Sequence, residues 1–388
     1  MNTDGLDLLY SDVEDDLRAA VRDLLADRCP ASAVLARCDS DTPYDLELWR
    51  TLQVQLGLAG LLVPEEFGGE GGSAREVGVV LEELAAAVAP VPFLGSAVLA
   101  TSALLGCDTA DGQVAALLGR LASGESTAAL AVPLSAAPGG AFPQGVEADA
   151  HGALSGRVTS VADATVADVL LVPAVGSEGP GLYEVASDAP GVRISAATPL
   201  DLTRPIADVE LAGVRATRLA AGRIAEAAVD RALLAGAGLL ASEQVGVAQW
   251  CLDETVDYLG QRRQFGRVVG SFQALKHRLA DIWLEVVSAR AAARAAADAL
   301  AHGAPDTAVL VHVAQAYCAP VAVHAAEECV QLHGGIGMTW EHPAHLRLKR
   351  AKSSEIALGT PGRHRAALAA LVDLPPAAQA TGRPAVTA

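Results

Sequence analysis

Basic residues are scarce in this sequence. Across 388 residues, Lys and Arg number 28 against 46 Asp and Glu, a formal net charge of −18. Nucleic-acid binding needs a clustered basic surface to meet phosphates, so that class is excluded, and the acid is read as a solvated face. Long apolar runs are missing too. Although 51% of the chain is hydrophobic, no window of about 18 residues is apolar without an interrupting Gly, Pro or charge. The opening stretch MNTDGLDLLYSDVEDD is acidic where a secretion signal would be basic. A soluble, cytoplasmic protein with no membrane contact is expected. Cys29, Cys38, Cys107, Cys251, Cys318 and Cys329 lack C-x-x-C spacing, and no group of residues has metal-ligand spacing. The thiols are therefore read as reduced small hydrophobes, and no metal is expected.

What is present is helical periodicity at both ends. VEDDLRAAVRDLLADR and EVGVVLEELAAAVA carry apolar residues at three- and four-residue spacing, which predicts an α-helical unit over residues 1–125. Between 126 and 222 the pattern changes to short runs, AALAVPL, ADVLLVPAV and GLYEVAS, parted by Gly, Pro and Asp. That predicts a small antiparallel β domain. From 223 to 372 long helices return, with one stripe through Val245, Ala248, Leu252, Val256 and Leu259 and another through Leu275, Leu279, Ile282 and Val286. Four helices are expected, the fourth beginning near Pro343, and together they make a four-helix bundle. Pro320 falls inside the third and is expected to kink it. Residues 373–388 read as a disordered tail.

Two motifs lie in the helical C-terminal part. RRQFGRVVGSFQ holds R-x-x-F-G at Arg262 to Gly266, then Phe272 and Gln273; QLHGGIGMTWEHP holds Q-x-x-G-G-x-G at Gln331 to Gly337, then Glu341 and Pro343. A guanidinium forks onto phosphate oxygens, and glycines let a backbone approach an anion closely. These motifs, with the helical, β and bundle regions in that order, resemble the acyl-CoA dehydrogenase family over nearly the whole chain. The resemblance implies an α+β fold and FAD seated between the β domain and the bundle of one subunit, with a neighbouring subunit's bundle holding the diphosphate and adenosine. Carried over by position, it implies that Arg262 meets the pyrophosphate, that Phe265 and Gln273 flank the adenosine, and that Gln331 and the Gly334, Gly335 and Gly337 loop face the diphosphate.

The same resemblance implies a carboxylate base that removes the α-proton of an acyl thioester while hydride passes to the flavin. Such a base works in a dry site that raises its pKa. Here the usual position is Leu358, and the alternative on the first bundle helix is Gly236, followed by Ala237 where many members carry a substrate-binding arginine. None offers a functional group. Glu243, Glu355 and Asp230 are nearby acids, each read as structural, exposed or capping. The flavin-lining stretch of the β domain corresponds to AVPLSAAPGG at 131–140, and the strand backing the ring corresponds to Ser160, Val161 and Ala162, without the usual indole and hydroxyl. Backbone N–H groups, including that of Leu358, remain as expected donors. His333 is read as a satisfied helix-end histidine and His364 as an exposed one.

Positions serving the chain's own catalysis are altered, whereas those serving a neighbour's FAD are kept. The expectation is therefore a base-deficient subunit of an acyl-CoA dehydrogenase tetramer, as in some actinobacterial members acting on bulky sterol-type substrates. It would complete the FAD site of a catalytic paralogue. The alternatives are a self-sufficient dehydrogenase with an unrecognised base and a flavin-dependent monooxygenase on the same fold. The expected partners are an acyl-CoA or acyl-carrier thioester and an electron-transfer flavoprotein.

Overall fold

The computed structural model describes residues 8–374; nearly all of the expected tail lies outside the described residues. The N-terminal part is α1 (Asp12–Arg28), α2 (Ala31–Cys38), α3 (Leu46–Leu56), α4 (Ala74–Ala86), a π-helical segment Phe93–Ala100 running into α5 (Thr101–Leu104), and α6 (Gly112–Ala122). Ser11 with Glu14 and Ser73 with Glu76 form capping boxes that start α1 and α4. Glu14 is buried and accepts from Arg75 at 2.9 Å and Arg294 at 2.5 Å. That tie holds α1 to the later helices.

The central sheet contains β1 (Ala128–Leu130), β2 (Val146–Ala148), β3 (Ala153–Ala162), β4 (Val169–Gly176), β5 (Gly179–Ala186), β6 (Val192–Ala196), β7 (Ile206–Arg215) and β8 (Thr217–Ala221). Its order is β6-β7-β3-β2-β4-β5-β8, with β1 also pairing β4. The sheet is mixed, not wholly antiparallel as expected: β1 and β2 both run parallel to β4. The cause is topological. The long excursion from 131 to 145 separates β1 from β2, and no hairpin forces either to reverse against β4.

The C-terminal part is α7 (Gly222–Gln261), a short hairpin of β9 (Arg263–Gln264) and β10 (Arg267–Val268), α8 (Gln273–His302), α9 (Thr307–His333), a 3₁₀ turn Gly334–Met338, α10 (Ala344–Ile356) and α11 (Pro361–Leu371). The expected fourth bundle helix is thus two helices, broken where Leu358 and Gly359 both take positive φ and Pro361 opens α11 behind the Thr360 cap. α9 runs unbroken through Pro320. The carbonyl of Ala316, whose helical donor Pro320 removes, accepts from Arg365 at 3.3 Å. By length and composition the segment Thr307–Met338 would suffice to cross a bilayer, but 56% of its most apolar window is buried inside the fold.

Helices of the N- and C-terminal parts share one apolar core, and the sheet keeps a second. The approach of α4 to α7 is close enough that a Cβ at Gly246 would stand 2.1 Å from the Glu82 carbonyl oxygen. Only glycine fits there. All six cysteines are free and five are buried.

Candidate functional site

The two sequence motifs meet at an open groove of about 640 Å³ between the end of α7, the start of α8 and the end of α9. Arg262, Gln331, Gly334 and Gly335 line it, with Tyr258 and Arg278. Arg262 ends α7 in an extended conformation, and its carbonyl accepts from Val269 at 2.8 Å, which folds the hairpin back beside it. A Cβ at Gly334 or Gly335 would meet nothing within 4 Å, so this face of the loop is clear for a ligand. Gly337 is different. It is buried, and a Cβ there would stand 2.5 Å from the Val330 carbonyl, so it is glycine for packing and does not line the groove.

Phe265 sits at the hairpin tip with φ +53°, 87% exposed, edge-on to Phe272 at 6.1 Å. Gln273 is exposed at the first position of α8. Both lie outside the groove lining and project from one end of the bundle, where only a ligand or chain from outside would cover them. The positive φ of Phe265, with that of Gly266 after it, is what the two-residue turn between β9 and β10 requires.

The two positions expected to carry a base come together, although they are far apart in sequence. A Cβ at Gly236 would stand 2.4 Å from Leu99 Cδ2 and 3.0 Å from Leu358 Cδ1. Leu99 is 3% exposed and Leu358 0%. The corner is packed with aliphatic side chains, and neither Gly236 nor Leu358 brings a proton acceptor to it. The Leu358 N–H, expected to be free for a thioester carbonyl, donates instead to the Leu134 carbonyl at 2.7 Å. Leu134 belongs to the 131–140 stretch, and its own N–H donates to the Ser160 carbonyl at 2.9 Å. That stretch roofs the corner: a Cβ at Gly359 would stand 2.8 Å from the Ala137 Cβ. Asp230 of α7 fastens the roof by accepting from the Gly139 N–H at 2.6 Å.

His364 is 1% exposed, not exposed as expected, because the turn into α11 folds it under the same corner. Its Nε2 donates to the Leu358 carbonyl at 3.1 Å and its Nδ1 lies 2.7 Å from Nδ1 of His312. Burial, with His312 beside it, pushes it down to about 4. His333 is buried, and its Nδ1–H donates to the Cys329 carbonyl at 2.7 Å. Glu355 is half-buried beside Lys352.

Glu243 is held by ion pairs. It is 2% exposed and bonded to Arg204 and to the Ser354 hydroxyl at 2.9 Å, with Arg350 at 3.5 Å. Arg350 in turn bonds Asp201 at 2.6 Å and the Thr203 carbonyl at 2.9 Å. Both carboxylate oxygens are thus committed to partners within the fold. This network and the Leu134 roof join residues of separate elements, so no local spacing signalled either.

Family models match both ends of the chain: the acyl-CoA dehydrogenase N-terminal domain at residues 11–125 and the acyl-CoA dehydrogenase C-terminal domain at 225–372. Acyl-CoA dehydrogenase IpdE2 of Mycolicibacterium smegmatis is 36% identical over 350 residues, covering 89% of this chain and 94% of the relative. The chain belongs to the acyl-CoA dehydrogenase family. Acyl-CoA dehydrogenase IpdE2 of Mycobacterium tuberculosis is 35% identical over 89% of the chain and 92% of the relative. Among solved structures, the ChsE4-ChsE5 complex from Mycobacterium tuberculosis matches with a TM-score of 0.83 at 29% identity over 96% of this chain and 100% of that one. The steroid ACAD Tcur3481-Tcur3483 matches with a TM-score of 0.83 at 30% identity over 93% and 98%.

Acyl-CoA dehydrogenases are FAD-dependent oxidoreductases, and FAD is the cofactor of this family. The residues present fit one half of it. The groove offers the Arg262 guanidinium, without a partner among the described residues, the Gln331 amide and an uncovered glycine backbone, a donor set suited to a diphosphate. The corner beneath Leu134 does not fit a reacting thioester, because its backbone donor is taken and its space is filled.

Proposed function

We propose that this chain is the base-deficient subunit of a heteromeric acyl-CoA dehydrogenase, and that its groove completes the FAD site of a catalytic paralogue. The observation carrying this reading is the convergence of Gly236 and Leu358 on Leu99, with the Leu358 N–H committed to Leu134. FAD, where bound, supplies the hydride acceptor. In this chain Arg262 and Gln331 would hold its diphosphate, and Gly334 and Gly335 would let the backbone approach it. Leu99, Leu358 and the Leu134 roof exclude both water and acyl chain from the corner where a base would otherwise work.

The likeness to a two-component complex and to a steroid ACAD supports a heteromeric assembly and a bulky, steroid-type acyl-CoA as the substrate of the assembled enzyme. The test is Arg262→Ala in a complex co-expressed with the paralogue. The side chain is exposed and bonds to nothing among the described residues, so the variant should fold and assemble normally while the partner's sites lose FAD and activity together. Full flavin occupancy in the variant complex would contradict the reading.

A further inference from the structure

At the foot of the glycine loop, residues from three separate elements converge: Glu254 on α7, His333 as the last residue of α9 and His342 in the connection to α10. One ligand atom from each lies within 4.8 Å of the other two. We propose that these three residues form a site for a divalent transition metal of the zinc and cobalt class, which pins the glycine loop to α7. This inference is independent of the function proposed above.

The strongest support is His333. Its ring is 3% exposed, its Nδ1–H is committed to the Cys329 carbonyl at 2.7 Å, and its buried Nε2 has no hydrogen-bond partner among the described residues. A carbonyl that holds the proton on one ring nitrogen leaves the lone pair of the other free, which is how protein carbonyls orient metal-binding imidazoles. An orphaned nitrogen in a buried ring is otherwise unfavourable. The ring is also fixed in place, stacked on Tyr258 at 4.4 Å and against His342 at 4.3 Å.

His342 is mostly buried, and its Nε2 lies 3.8 Å from the Glu254 carboxylate, whose side chain is 40% exposed. Three atoms 4.8 Å apart are about 2.8 Å from their common centre, so each would move by less than about 1 Å to reach the roughly 2.0–2.2 Å of Zn–N and Zn–O bonds. The exposed carboxylate can make that move, and its open side leaves a fourth position for water. Loading gives up the long 3.3 Å bond from the Ala344 N–H to His342 Nδ1, because a metal on Nε2 leaves the ring proton on Nδ1. Two neutral imidazoles and one carboxylate around a dication leave one positive charge beside the groove that His333 also lines.

The experiment titrates Co²⁺ and then Zn²⁺ into the untagged, chelator-stripped full chain, following the cobalt d–d absorption and the heat of binding. One equivalent of cobalt with the intense bands of a tetrahedral site, displaced by zinc, is the expected result. Glu254→Gln and His342→Ala should each weaken zinc binding by more than about tenfold, with unchanged far-UV circular dichroism. The exposed Glu254 keeps the test usable should the histidine variant misfold. No saturable binding, or binding equally tight in Glu254→Gln, would overturn the assignment.

Discussion

Placing a carboxylate where the family has its base should cripple folding and restore no chemistry. Leu358 is fully buried against Leu99 and the space at Gly236. Leu358→Glu forfeits leucine burial of roughly 1.5–3 kcal/mol and buries a carboxyl without a partner at roughly 1–3 kcal/mol more. The positive φ at this position is common to both residues and cancels. The expected loss is about 2.5–6 kcal/mol, against about 5–15 kcal/mol for a whole domain. Burial also raises the new group's folded pKa above its unfolded value of about 4.3. The unfolded state then binds fewer protons than the folded state above that pH, so the penalty grows as pH rises. Leu358→Met, which conserves volume, should cost less than about 1.5 kcal/mol. Guanidinium unfolding of the three proteins at two pH values measures these differences. A Leu358→Glu protein within about 1 kcal/mol of its parent that also bleached flavin with an acyl-CoA would refute the claim that this corner is closed.

Glu243→Ala should cost about 3–5 kcal/mol in denaturant unfolding, because it leaves the Arg204 and Arg350 charges buried without their shared partner; a change in the range of an exposed pair would show the network to be solvated. Acid should weaken the fold in two stages. His364 is depressed to about 4 from an ordinary value near 6.5, so stability is lost as pH falls from about 6.5 to 4, and His364→Gln should flatten that slope in a pH series of melting temperatures. Burial would raise Glu14, but its bonds from Arg294 and Arg75 outweigh that and hold it at about 2, so a further loss follows from about pH 4.3 to 2 and should diminish in Glu14→Gln.

The features legible in the sequence were those with local periodicity or fixed spacing. The stripe through Val245 and Leu252 announced α7, and the spacing from Arg262 to Gln331 carried the family. The fate of Leu358 and Gly236 was half legible: their lack of functional groups could be read, but their meeting with Leu99 depends on the α7 to α10 packing. The Leu134 carbonyl's capture of the Leu358 N–H depends on the path of a loop without periodicity. The burial of His364, expected to be exposed, is likewise not local in origin: it depends on the turn that positive φ at Leu358 and Gly359 makes before α11. The mixed sheet arises from an irregular excursion between β1 and β2, where strand direction is set by packing and not by a turn signature. The cluster of Glu254, His333 and His342 has no metal-like spacing along the chain because each residue comes from a different element.

The most direct test of a closed, partner-dependent site is to purify this chain alone and with its paralogue, count FAD per chain, and add steroid-type acyl-CoA anaerobically. The account predicts little FAD and no bleaching for the chain alone, and bound FAD that bleaches in the complex. Near-stoichiometric FAD in the isolated chain, bleached by acyl-CoA, would contradict it.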